Sequence, residues 1–159
     1  MRLPPLAGRP IRVQIRPSLG AHLAETSIPR RLIFLDRQVL TRRGDFERIL
    51  IHELFHFVWV RLSNQTRWDW ERVVAAEFGR RSRGELGWSA EWRKVQLRPR
   101  DVRARTPKWR RYICESFCDS AAWMYAGMST HDEYTLAPAN RLRRKAWIAR
   151  NLATRALPV

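Results

Sequence analysis

The chain has 159 residues, 45% of them hydrophobic, with eight Trp and six Phe, which is enough apolar material for one packed domain and excludes a disordered tail. Its 31 basic residues outnumber 15 acidic ones, for a formal net charge of +16; such a charge attracts phosphate, acidic protein segments or anionic surfaces without choosing among them. No apolar run approaches the length of a membrane span, and the first residues lack the apolar stretch and cleavage site of a secretory signal, so a cytoplasmic protein with no membrane partner is expected.

Residues 1–10 carry three Pro and one Gly and predict an extended arm. Residues 11–16, IRVQIR, alternate apolar and polar and predict a half-buried strand. Residues 17–29 predict a loop with Pro17, Gly20 and Pro29. Residues 31–36, RLIFLD, predict a second strand, which 38–40 either extend or turn away from. A helix is expected from Asp45, placed as N-cap after Gly44. Apolar residues from Phe46 to Leu62 cover most of its circumference, so it should be central and buried.

Helical character returns at 68–80. Residues 93–111 form a basic stretch, with 93–106 expected as a loop because Pro99 and Pro107 break any long helix. Pro107 suits the first turn of a further helix, capped by Thr106 and stopped at Gly127. A loop with His131, Asp132, Glu133 and Tyr134 precedes a last helix from Pro138 to about 153. The expected fold is a single α+β domain over 1–159, with a small N-terminal sheet and about four principal helices. Cys114 and Cys118, one turn apart on a helix, are poorly placed for a disulfide and read as buried thiols.

The chemistry is concentrated in His52-Glu53-Leu54-Phe55-His56, an H-E-x-x-H pattern. Four residues turn an α-helix through about 400°, so the two imidazoles leave one face, one turn apart, and can hold one Zn2+. Glu53, one position on, points beside the metal, where it can take a proton from metal-activated water. Two histidines and a glutamate in an otherwise apolar helix are costly unless something satisfies them. An open catalytic site needs a third protein ligand; outside the motif the candidates are Glu115, His131, His22 and Cys118.

A later helix carrying Glu115-Ser116-Phe117-Cys118-Asp119 makes the chain resemble the gluzincins, the thermolysin-like branch of the zincin metallopeptidases. It is more loosely similar to the compact ImmA/IrrE-type peptidases. The resemblance covers the strand at 31–36, the motif helix and the helix at 107–126. It implies a zincin-like domain with His52, His56 and Glu115 as metal ligands and Asp119, one turn on from Glu115, accepting the other N–H of a ligating His and so orienting its ring. It further implies that the strand at 31–36 runs along the cleft and pairs with substrate backbone.

The expected activity is zinc-dependent hydrolysis of peptide bonds, with peptide or protein as substrate. Glu53 is the general base, and His131 or Tyr134 is the candidate donor to the charge that develops on the scissile carbonyl. The alternative is a nucleic-acid-associated protein with a structural or non-catalytic zinc. Its support is the Arg-rich 93–111 stretch and the aromatics Trp88, Trp92 and Trp109 beside it; its closed site would take Cys118 or His131 as fourth ligand.

Overall fold

A computed structural model describes residues 2–41, 44–152 and 156–159. The arm at the N-terminus contains β1 (Leu6–Ala7), followed by β2 (Arg12–Arg16), β3 (Ala24–Ser27) and β4 (Leu32–Asp36). The last three form one sheet in the order β2-β4-β3, with β2 parallel and β3 antiparallel to β4.

Two expectations change here. The 17–29 segment contains a strand, β3, although Ala24-Glu25-Thr26-Ser27 has no apolar alternation to announce it. Its backbone is held by the neighbouring β4, and its register pairs Ala24 with Leu35. In addition, β2 is exposed along all five residues and not half-buried. It is an edge strand whose Val13 and Ile15 remain exposed, at 45% and 42%. β4, with four of its five residues buried, is the central strand.

A 3₁₀ turn over Arg37–Thr41 leaves β4, fixed by Asp36, whose carboxylate accepts the N–H groups of Gln38 at 2.8 Å and Leu19 at 2.7 Å. The motif helix α1 spans Asp45–Arg61. Its cap is Gly44, in the left-handed region at φ 84°, and not Asp45. Asp45 is the first helical residue, and its carboxylate is engaged by Arg48 and His131 instead of the helix terminus.

Helix α2 (Asn64–Gly79) starts four residues earlier than its apolar pattern suggests, because Ser63 accepts the N–H of Thr66 at 3.1 Å and caps it. The stretch expected as a basic loop is partly helical: α3 (Trp88–Lys94) runs into it and α4 (Pro99–Arg103) lies within it. Pro99 starts α4 where its missing N–H costs nothing, and Asp101 accepts the N–H of Arg98 at 2.9 Å. Then come α5 (Pro107–Tyr125), α6 (Pro138–Leu152) and β5 (Leu157–Pro158), which pairs in parallel with β1.

The architecture is mixed α+β, with the sheet beside α1 and the long helices α1, α2, α5 and α6 around an aromatic core. Phe117 of α5 lies 5.7 Å from the rings of both Phe55 on α1 and Trp70 on α2, and Trp70 lies 5.0 Å from Trp147 on α6. Truncating an aromatic enclosed in this way costs about 3–5 kcal/mol. Packing of α1 on α5 is what brings the H-E-x-x-H face against Glu115. Among the described residues no helix is long and apolar enough to cross a membrane.

Candidate metal centre

His52, Glu53 and His56 lie on α1, and Glu115 and Asp119 on α5, the members of each helix one turn or less apart. Nε2 of His52 lies 3.3 Å from Nε2 of His56 and 3.3 Å from Oε2 of Glu115; the third edge, His56 Nε2 to Glu115 Oε2, is 3.9 Å. A tetrahedral ion with bonds of about 2.1 Å sets its ligand atoms about 3.4 Å apart. The donor set of two imidazole nitrogens and one carboxylate oxygen could hold a metal ion and suits zinc in kind; two of its three edges match that spacing and the third is longer.

Nδ1 of His52 lies 2.7 Å from Oδ1 of Asp119. That contact places a proton on Nδ1 and leaves Nε2 with its lone pair toward the cluster when the ring is neutral. The other oxygen of Asp119 accepts the N–H of Ala90 at 3.0 Å. Arg93 Nη2 stands 3.4 Å from Oε1 of Glu115, so its charge sits on the oxygen turned away from the histidines.

Without a metal, the cluster holds its charge by protonation. Burial of the His52 ring disfavours the cation, yet Asp119 and Glu115 outweigh it and hold His52 well above its ordinary 6.5. Burial likewise opposes the charged form of Glu115, but His52, His56 and Arg93 bring its carboxyl down to about 2.

Comparison with known proteins finds no match: no family model, no curated protein and no solved structure matches the chain.

The structure brings His52, His56, Glu115 and Asp119 together. Glu53 is buried on the same helix; its backbone carbonyl accepts from Thr26 Oγ1 of β3 at 3.3 Å, and its carboxylate makes no hydrogen bond with a described residue. His131 and Tyr134 are not members of the cluster. His131 Nε2 pairs with Asp45 Oδ1 at 3.2 Å, two turns along α1 from His52. Tyr134 packs with Leu86 and Leu136; its hydroxyl is buried without a hydrogen-bond partner among the described residues, and burial pushes it up to about 12. His22 is exposed in the loop before β3.

Three contributors escaped the sequence reading. Cys114 Sγ lies 3.5 Å from Nδ1 of His56, the outer nitrogen of that ring. Arg93 belonged to an anonymous run of basic residues. Gly87 leaves the room that Asp119 occupies: a Cβ there would meet the Asp119 carboxylate at 2.3 Å. Only Cys114 had a local signal, since it sits one turn before Cys118 on the helix that carries Glu115. The strand preceding α1 also differs from expectation. β4 is paired on both sides and has no free edge; the free antiparallel edge next to α1 belongs to β3.

Proposed function

We propose that the protein is a zinc-dependent peptidase of gluzincin type, cutting peptide bonds in peptides or proteins. The observation that carries this reading is the convergence of His52 Nε2, His56 Nε2 and Glu115 Oε2, with Asp119 2.7 Å behind His52. No fourth side chain of the described residues joins these three, which favours an open catalytic site over a closed structural one.

A zinc ion held by His52, His56 and Glu115 would supply Lewis acidity to a scissile carbonyl and to the attacking water. Glu53, one position round the helix from His52, takes the proton of that water and passes it to the leaving amine. Its carboxylate makes no hydrogen bond with a described residue, which leaves its oxygens open to accept that proton. Glu115 is kept ionised by the histidines and by Arg93, so the third donor is an anion at neutral pH. The β3 edge, tied to Glu53 through Thr26, is positioned to pair with an extended substrate backbone. Trp88 and Trp92, exposed one turn apart on α3, offer apolar surface on the helix that supports Asp119 and Glu115. Two free thiols suit a reducing compartment and support a cytoplasmic setting.

The test begins with a parent protein shown to cleave a peptide library or an unfolded protein. Glu53→Gln keeps the shape and the hydrogen-bonding capacity but removes the base. Zinc content and thermal stability should match the parent's, while turnover falls by at least about 10²-fold. An equally active Glu53→Gln variant would show that the mechanism is wrong.

A further inference from the structure

His56 presents two nitrogens to two different donor sets. Nε2 faces His52 and Glu115. Nδ1 faces Cys114 Sγ at 3.5 Å, and the sulfur of Cys118 completes a group whose ligand atoms all lie within 4.8 Å of one another. On α5 the two sets interleave: Cys114 and Cys118 are one turn apart, and Glu115 and Asp119 follow one position later, about 100° round the helix. We propose that His56 Nδ1, Cys114 and Cys118 form a second metal site, selective for a thiophilic cation of the Cu(I) or Cd(II) class, back to back with the first and sharing the His56 ring.

The spacing supports this. An ion of zinc or Cu(I) size, bonded to sulfur at about 2.3 Å and to nitrogen at about 2.0 Å, sets those atoms about 3.5 Å apart, the separation between Cys114 and His56, while the preference for a thiophilic cation comes from the soft donors and not from the spacing. So does the contrast between the two histidines. His52 gives its outer N–H to a carboxylate, as a ligating histidine ordinarily does. His56 faces sulfur, a weak acceptor, and among the described residues its Nδ1 has no oxygen partner. A thiol pair serves poorly as an orienting acceptor and well as a soft donor set. Cys118 is fully buried and Cys114 half-buried, so water competes little for the cation.

Binding is a proton exchange: each thiol releases its proton to solvent as its sulfur takes the cation. The ring holds a cation on either nitrogen while the other keeps its proton, and holds two only if that last proton also leaves. The two sites are therefore antagonistic, and the antagonism is reciprocal: a soft cation weakens zinc at the first centre by the factor by which zinc weakens the soft cation.

The inference does not depend on the peptidase reading, and metal-free, fully reduced protein titrated with Cd(II) tests it. The parent should develop a thiolate-to-cadmium charge-transfer band that saturates at one equivalent. Cys114→Ser and Cys118→Ser should each lose it. Glu115→Gln, which disables the first centre, should keep it. Zinc should bind the cadmium-loaded parent more weakly than the metal-free one. If either serine variant misfolds, ¹¹³Cd resonance of the intact parent distinguishes sulfur from purely nitrogen and oxygen ligation. A parent with no charge-transfer band, or a band that survives Cys118→Ser, overturns the second site and leaves the first untouched. Full band with unchanged zinc affinity overturns the antagonism.

Discussion

The carboxylate of Asp119 joins three helices: one oxygen lies 2.7 Å from Nδ1 of His52 on α1, and the other accepts the N–H of Ala90 on α3 at 3.0 Å. The residue that sets the direction of a ligand ring is thus itself held by backbone. Asp119→Asn retains the volume but offers the ring an amide in place of an anion. Zinc affinity should fall by about 10–100-fold, with little loss of helix content. Competition against a chromophoric chelator measures it; unchanged affinity would remove Asp119 from the site.

Gly87→Ala tests the same contact from the other side. The backbone at Gly87 is extended, at φ −176°, so alanine meets no conformational penalty there. The obstacle is the Asp119 carboxylate, 2.3 Å from the added Cβ. Overpacking of this kind costs about 1–3 kcal/mol. Urea unfolding should show that loss, and the chelator assay should show weaker zinc binding. A stable variant with parental zinc affinity would contradict the packing described.

His52→Ala, His56→Ala and Glu115→Ala should each lose most of the zinc, whereas His131→Ala should keep about one ion per chain. The pH dependence has a definite sign. Because the metal-free fold holds His52 well above 6.5, its charged form stabilises that fold fully below about pH 6.5 and progressively less as pH rises through the raised value. The same proton obstructs the metal. Rising pH above 6.5 should therefore lower the contribution of this site to metal-free stability while strengthening zinc binding. Calorimetric proton uptake and release at pH 6 and 8 reads both, and zinc affinity that falls with pH would refute the assignment.

Arg144 is fully buried and bonds Glu77 and Glu85, with Nη2 to Glu77 Oε2 at 2.7 Å and Nη1 to Glu85 Oε2 at 2.6 Å; Tyr112 and Lys94 add to Glu85 at 2.5 and 3.0 Å. Arg144→Met would strand Glu77 and leave Glu85 only Lys94 and Tyr112, and should cost about 3–5 kcal/mol at pH 7. In the parent, burial pushes Glu85 up but Arg144 prevails and holds it below its ordinary 4.5, so this stabilisation is lost only as pH falls beneath that value. In the variant, burial acts with less opposition, the folded state binds the proton more tightly, and acid should stabilise it relative to pH 7. The stability gap between the two proteins should narrow from pH 7 to 5 in denaturant titrations.

The basic face supports the rival reading and can be tested separately. Arg98, Arg100, Arg103, Lys108, Arg110 and Arg111 are exposed, and none forms an ion pair with a described residue, whereas Arg105 is occupied by Glu71 at 2.7 Å. Trp109, one of the three aromatics counted beside this stretch, is buried and donates to Glu71 at 2.8 Å, so stacking falls to Trp88 and Trp92. Binding of single-stranded DNA or RNA should weaken linearly in log–log salt plots, with a slope near 0.7 per phosphate neutralised. Reversing Arg98, Arg100 and Arg103 to Glu should abolish it. No binding at low salt would assign the face to solubility or substrate steering.

The motif helix and its two histidines were legible because helical periodicity is local: four residues return to the same face whatever the rest of the chain does. The long helices were legible for the same reason, through Pro107, Thr106, Gly127 and continuous apolar spacing. β3 was not, since its hydrogen bonds come from β4 and its own side chains carry no alternation. The start of α1 at Asp45 was legible, but its cap was read one residue late, because the Asp45 carboxylate is engaged by Arg48, one turn on in the same helix, and by the distant His131.

The sequence by itself determined which side chains face one another along each helix: His52 with His56, Glu115 with Asp119, Cys114 with Cys118. Only the tertiary structure decided which of these pairs meet. Packing α1 across α5 puts Glu115 and Asp119 on His52, turns Cys114 to the outer nitrogen of His56, and leaves His131 two turns away at Asp45. No local rule yields that crossing, because it depends on how Phe55, Phe117, Trp70 and Trp147 fill the space between four helices.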